Sequence, residues 1–272
     1  MEIVLYFFTY FILYSFVGWL LESISKTIAQ KKLVNSGFLN GPVCPIYGIG
    51  AIIMLLSLSF LKEKPILLFI AAFIILSLWE YIVGVFLEKV FKTKYWDYSN
   101  IKFNFQGRIC LKNSIYWGIL GVLFICYVHP IVDGYIKLIP TKMLLYVNII
   151  VGIVIVIDSI ISAKTAINFD TMINKINEMN TTIKEKIKEL KELKNKSKQK
   201  IADIEKNTII STEKRIKELK ISQAKLKIRI YRQANRLKRA FPSMKSESIT
   251  AFLNQKIDLK NLRRKIKKEN KE

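Results

Sequence analysis

The stretch Ile66–Leu87, ILLFIAAFIILSLWEYIVGVFL, decides the fold. Glu80 is its one charged residue. A helix rises about 1.5 Å per residue, so this run reaches across the roughly 30 Å of hydrocarbon in a bilayer. A core helix of a soluble protein would carry polar residues on one face at a 3.6-residue period, and none appear here. Other stretches read the same way. Ile3–Leu21 has no charge, Met143–Ala163 has only Asp158, and Ser114–Val132 has His129 and no formal charge. Ile46–Leu61 is shorter and is extended by Pro45 and the apolar residues before it. An all-α, polytopic helical membrane bundle is therefore expected, with about five transmembrane helices near 3–21, 46–61, 66–87, 114–132 and 143–163.

Composition divides the chain at the same place. Its 272 residues carry a net charge of +23 while half of them are apolar, an odd mixture for one soluble globule. Residues 1–163 hold 13 Lys/Arg and 8 Asp/Glu, whereas residues 164–272 hold 31 and 13. The expected organisation is a transmembrane domain over 1–163, a basic coiled-coil tail over 164–240 and a C-terminal basic helix over 241–272. The N-terminus lacks the basic region and small-residue cleavage site of a signal peptide. The wealth of Lys, Ile and Asn points to an AT-rich, bacterial genome.

Basic residues in short loops set the direction of insertion. The loops 22–45 and 88–113 together carry nine Lys/Arg, and the segments on the other side carry four. The two loops are thus expected in the cytoplasm, the N-terminus outside and the tail inside. The bacterial cell membrane is the expected location.

The chain matches itself at an offset of 66. Gly18, Leu21, Glu22, Lys26, Thr27, Gly41 and Cys44 correspond to Gly84, Leu87, Glu88, Lys92, Thr93, Gly107 and Cys110. Each unit reads as a helix going in, a glycine-containing loop with a cysteine, and a helix going out. Two parallel hairpin repeats plus one further helix make up the expected layout, as in transporters built from parallel repeats.

The loops are distinctive: Gly37-Phe-Leu-Asn-Gly-Pro-Val-Cys-Pro-Ile-Tyr-Gly48, then Trp96-Asp-Tyr-Ser99, Asn104-Phe-Gln-Gly-Arg-Ile-Cys-Leu111 and Tyr116-Trp-Gly118. Together they resemble the bacterial ABC-transporter type IV family, multi-pass proteins often called ABC transporter permeases. The resemblance covers roughly residues 1–165 and implies a membrane component working with a separate ATPase. The chain itself has no G-x-x-x-x-G-K-[ST] phosphate loop, so ATP hydrolysis is not expected of it. The loops 22–45 and 88–113 are the natural coupling surfaces for such a partner.

Several residues are candidates for chemistry. Glu80, inside a span, costs at least about 2.5–3.5 kcal/mol to insert, and such residues usually face a bundle interior. It is either functional or a structural glutamate bonded to a tyrosine of a neighbouring span. Glu22 and Glu88, with Arg108, are repeat-related interfacial candidates. The acids could hold a cation, pair with Arg108 across the pseudo-axis, or pair locally with Lys26 or Lys92. Asp158 reads as interfacial. Asn40, Gly41, Pro42, Cys44, Gly107 and Cys110 form the loop motif, which suggests a tight turn hugging or re-entering the membrane. Cys44 and Cys110 are expected to pack rather than to ligate, since two thiolates make a poor metal set. His129, ahead of Pro130, reads as a helix end. No catalytic constellation, metal site or cofactor is expected, and an intramembrane enzyme ranks last.

In the tail, Ile173, Ile176, Ile183, Ile187, Leu190, Ile201 and Ile204 recur at three and four, with Asn180, Lys194 and Ser197 at the missing seam positions. A second register runs Ile209, Ile216, Leu219, Leu226, Ile230 and Leu237. This is a coiled-coil period, compatible with a dimerising rod or a hairpin closed on itself. Phe241-Pro242-Ser243 breaks it. Lipid headgroups and self-association are the expected partners of the basic surface, and nucleic acid the least expected. Two functional readings follow: a permease-like subunit driven by a separate ATPase, or a membrane-anchored scaffold whose tail recruits partners.

Overall fold

A computed structural model describes residues 2–196, 203–255 and 257–269. Ser197, Ile201 and the side chain of Ile204, three positions of the expected tail seam, lie outside the described residues. The chain forms two compact units, one from residues 1–167 with 236–246 and the other from 168–235 with 247–272.

The first unit holds α1 (Glu2–Gln30), α2 (Pro45–Leu58) closed by a 3₁₀ turn (Ser59–Leu61), and α3 (Pro65–Phe91). A small antiparallel ribbon follows, β1 (Asn104–Phe105) against β2 (Ile109–Cys110). Then come α4 (Leu111–Leu123), a π turn (Phe124–Val128), α5 (His129–Lys137) and α6 (Thr141–Ile167). Four helices are long and apolar enough to cross a membrane: Glu2–Gln30, Pro65–Phe91, Leu111–Lys137 and Thr141–Ile167. Pro45–Leu61 is a shorter apolar helix.

The fourth of the expected spans needs a correction. His129 and Pro130 do not end a helix, because α4, the π turn and α5 run as one rod to Lys137. Pro130 has no N–H to give and would clash with a preceding carbonyl in a regular helix. The wider π turn absorbs the defect, and the His129 N–H donates to the Phe124 carbonyl. Polar side chains of the rod find partners on α1. Tyr14 Oη shares a 2.9 Å hydrogen bond with His129 Nδ1, and Tyr10 Oη donates to Asp133, which also pairs with Lys137 at 2.7 Å.

Two helix pairs pack most extensively, α1 with α2 and α3 with α4. Small residues make this approach possible. A Cβ at Gly48 would lie 2.5 Å from the Phe11 carbonyl oxygen, and one at Gly118 would lie 2.6 Å from the Phe69 ring. Tyr10, Tyr14, Met54, Leu58, Leu68, Ala72 and Ile125 are buried in the common core. The outward residues of α6, such as Ile150 and Val154, are exposed apolar side chains, as a lipid-facing surface requires.

The helices outlast their apolar runs. α1 continues to Gln30 and α3 to Phe91, and each is followed by a lysine in the left-handed conformation, Lys31 at φ 50° and Lys92 at φ 49°. A left-handed residue after the last turn is a common helix stop.

The second unit holds α7 (Phe169–Lys196), most of α8 (Asp203–Ala240), α9 (Glu247–Leu253) and α10 (Leu259–Glu269). Lys194 pairs with Glu213 at 2.5 Å, and Gln223 donates to Asn180 at 2.6 Å. Moving back along α7 moves forward along α8, so the two helices run antiparallel. Ile176, Ile183, Ile216 and Ile230 are buried, and Phe169 meets Phe252 edge-on at 6.4 Å.

Candidate functional site

Glu80 sits within α3, 5% exposed, with both carboxylate oxygens hydrogen-bonded. Trp117 Nε1 donates to Oε2 at 2.9 Å from α4, and Tyr98 Oη donates to Oε1 at 3.0 Å. One turn away, Ser77 Oγ donates to Ser114 Oγ at 2.7 Å. The bonded tyrosine thus comes from the loop 92–110, not from a neighbouring span. That loop folds back along the bundle to the level of Glu80.

The fold of loop 92–110 explains the reach of Tyr98. The Tyr98 N–H donates to the Gly107 carbonyl at 2.8 Å, and Trp96 Nε1 donates to the Arg108 carbonyl at 2.9 Å. Gly107 has φ +66°, and a Cβ there would crowd Asp97, Ser99 and the Lys94 ammonium. Only glycine suits both the dihedral and the space. Asp97 is the loop's charged hub, receiving Lys94 at 2.7 Å, Ser99 Oγ at 2.6 Å and Lys245 at 2.5 Å. Burial alone would raise its carboxyl, but the donors Lys245, Lys94 and Ser99 outweigh that and hold it well below the usual carboxylate range.

The repeat-related acids each pair within their own hairpin. Glu22 binds Lys26 at 2.5 Å, and Glu88 binds Arg108 through Nη2 at 2.8 Å and Nε at 3.1 Å. Arg108 also lies over the Tyr81 ring at 5.8 Å. Of the partners weighed for Glu22 and Glu88, the local lysine serves the first and Arg108 the second.

Cys44 and Cys110 occupy equivalent places, each buried and each the residue before a return helix, α2 or α4. Burial, and then the charge of Glu22, pushes the Cys44 thiol far above its ordinary value. A thiol so protonated is a poor nucleophile and a poor metal ligand. Among the described residues no group of three or more His, Cys, Asp or Glu could hold a metal ion.

The loop 31–44 is held at both electrical ends. Its N–H groups face Asp158 of α6: Asn40 N at 3.2 Å, Asn40 Nδ2 at 2.9 Å and Gly41 N at 2.7 Å donate to that carboxylate. Its carbonyls face Arg236, whose guanidinium donates to Leu39 at 2.8 Å, Phe38 at 3.0 Å and Gly37 at 3.3 Å. Gly37 has φ +89°, a left-handed conformation that favours glycine. Pro42 follows with no N–H to leave unpaired. No local signal in the sequence linked Asp158 or Arg236 to this loop, because both partners are more than a hundred residues away.

A family model described as "Putative ABC-transporter type IV" matches residues 9–163, the helices and both loops just described. The chain belongs to the ABC-transporter type IV family. The match spans Glu80, Tyr98, Trp117 and the loops, so the site lies inside the part that defines this ABC-transporter type IV chain. The membership and the four apolar helices make it a membrane protein of a transport family. No curated protein and no solved structure matches the chain.

Proposed function

We propose that the protein is the permease-like membrane component of an ABC-type transporter, driven by a separate ATPase. The family match carries this reading. The chain has no phosphate loop, so the energy source is a second protein. Pro45–Leu61 serves as a fifth crossing. At about 1.5 Å per residue it falls a few ångströms short of the hydrocarbon thickness, a mismatch that local thinning accommodates. The N-terminus then lies outside, and the two long loops and the tail lie in the cytoplasm, in keeping with the excess of Lys and Arg in those loops.

In this reading the two hairpins, α1 with α2 and α3 with α4, descend from one duplicated unit. Supporting it are the offset of 66 and the buried cysteine heading each return helix. The pseudo-axis runs along the membrane normal. Glu80 is the pathway group, a carboxylate fixed by Trp117 and Tyr98 that can take up a proton or hydrogen-bond a polar solute. The tail is an antiparallel coiled coil whose basic faces lie near anionic headgroups and self-associate, each such residue contributing on the order of 1 kcal/mol at the surface. A scaffold function is the second reading, favoured by the compactness of the tail unit.

Purification of the tagged full chain in mild detergent is expected to bring down, in stoichiometric amount, a protein carrying G-x-x-x-x-G-K-[ST]. If no such ATPase accompanies it, and removal of residues 165–272 abolishes function while Glu80 variants are silent, the scaffold reading replaces this one.

A further inference from the structure

Residues 236–246 lie far along the chain, yet they belong to the membrane unit, while the residues on both sides of them belong to the tail unit. Their contacts address both loops. Arg236 caps three successive carbonyls of the first loop. The Ala240 carbonyl accepts from Lys26, and the Arg239 carbonyl accepts from Gln30 Nε2 at 2.9 Å. Phe241 meets Tyr95 of the second loop edge-on at 5.0 Å, and the Lys26 ammonium lies 5.1 Å from the Phe241 ring centre. Phe38 joins the same cluster, 5.6 Å from Tyr95. Lys245 and Lys94 exchange backbone hydrogen bonds of 2.8 and 3.1 Å as a one-residue strand pairing. The Asp97 N–H donates to Ser243 Oγ at 3.2 Å, and Lys245 closes on the Asp97 carboxylate.

These are the features of peptide recognition: a cation in a carbonyl cup, an aromatic in an aromatic niche, a strand-like backbone pair, and a second cation on a buried acid. Long-range electrostatics oppose the arrangement. The segment carries Arg236, Lys238, Arg239 and Lys245 and no acid, and the loops it covers are themselves rich in lysine. Repulsion over a Debye length of about 8–10 Å offsets part of what the short-range contacts contribute.

We propose that the two loops form a peptide-binding surface, that residues 236–246 are its tethered ligand, and that a cytoplasmic partner binds by displacing them with its own basic-aromatic segment. Such a segment presents an arginine to the carbonyls of residues 37–39, an aromatic ring to Tyr95 about five residues later, and a cation to Asp97. The partner's cytoplasmic location rests on the topology given under Proposed function; the peptide site does not.

The test uses the full chain in lipid nanodiscs and a fluorescent peptide of residues 236–246. The doubly substituted chain Arg236→Glu/Lys245→Glu releases its own strap and changes no residue of the loops themselves. It is expected to bind the peptide at least tenfold more tightly than the wild-type chain, with competition by unlabelled peptide and none by a scrambled one. Equal binding to both chains overturns the proposal. As a second measurement independent of that variant's folding, a benzophenone side chain replaces Phe241 in the otherwise natural chain. It is expected to cross-link to the loop around Tyr95, and excess free peptide is expected to abolish the cross-link. Cross-linking that survives the peptide makes the strap a permanent part of the fold and refutes the proposal. Neither readout involves an ATPase, so the failure of the permease reading and the failure of this one are separately visible.

Discussion

Glu80→Leu is expected to lower the thermal aggregation midpoint of the detergent-solubilised protein by roughly 5–20 °C, whereas Glu80→Gln leaves it within a few degrees. Leucine removes the acceptor shared by Trp117 Nε1 and Tyr98 Oη. Each donor left unpaired in an apolar bundle costs about 1–3 kcal/mol. Glutamine keeps both contacts, its carbonyl accepting from Trp117 and its amide donating to the Tyr98 oxygen, with the direction of the second bond reversed. It does so without a group that can ionise. The pair of variants therefore separates architecture from function. Under the proposed reading Glu80→Gln folds normally and abolishes transport-dependent growth or uptake. A fully active Glu80→Gln protein would make Glu80 a packing residue and remove it from the mechanism.

Asp158→Leu is expected to be as damaging, through the loop instead of the bundle. The carboxylate accepts from both Asn40 nitrogens and from the Gly41 N–H, and is further bonded by Ser162 Oγ at 3.2 Å. Each loop donor left without its acceptor costs about 1–3 kcal/mol. The loop 31–44 is expected to detach from α6, read as protease cleavage near Lys31 and Lys32 and as new reactivity of Cys44, which is buried in the intact protein. Asp158→Asn keeps one acceptor and is expected to fall between. Unchanged Cys44 reactivity in Asp158→Leu would mean that the loop is held by its other contacts.

The bundle was legible wherever one segment carried its own evidence. Ile66–Leu87 and Met143–Ala163 announce themselves by length and apolarity, and the helices do span them. The readings that needed correcting all involve a distant partner. His129-Pro130 looks like a helix end until Tyr10 and Tyr14 of α1 supply hydrogen bonds to the residues after the π turn. Glu80 was visible as an anomaly, and even a tyrosine partner could be expected. That the tyrosine would come from a loop depends on how loop 92–110 turns at Gly107, which a linear pattern does not encode. Asp158 was visible as an acid near the end of a span, but its neighbours on α6 say nothing of its partners Asn40 and Gly41. The break at Phe241-Pro242-Ser243 was plain, but not its partners Tyr95, Asp97 and Lys94. Local periodicity fixes helices, and loop–helix recognition is decided by pairings far apart in sequence.

The measurement that bears most directly on the central claim, a membrane bundle with both long loops on the cytoplasmic side, is cysteine labelling in intact cells. Single cysteines replace Lys102 in the second loop and Lys142 at the start of α6 in a chain whose natural Cys44, Cys110 and Cys126 have been removed; both lysines are exposed. A membrane-impermeant maleimide is expected to label position 142 at once and position 102 only after permeabilisation. Labelling of position 102 from outside, or recovery of the unlabelled chain in the soluble fraction without detergent, would contradict the account.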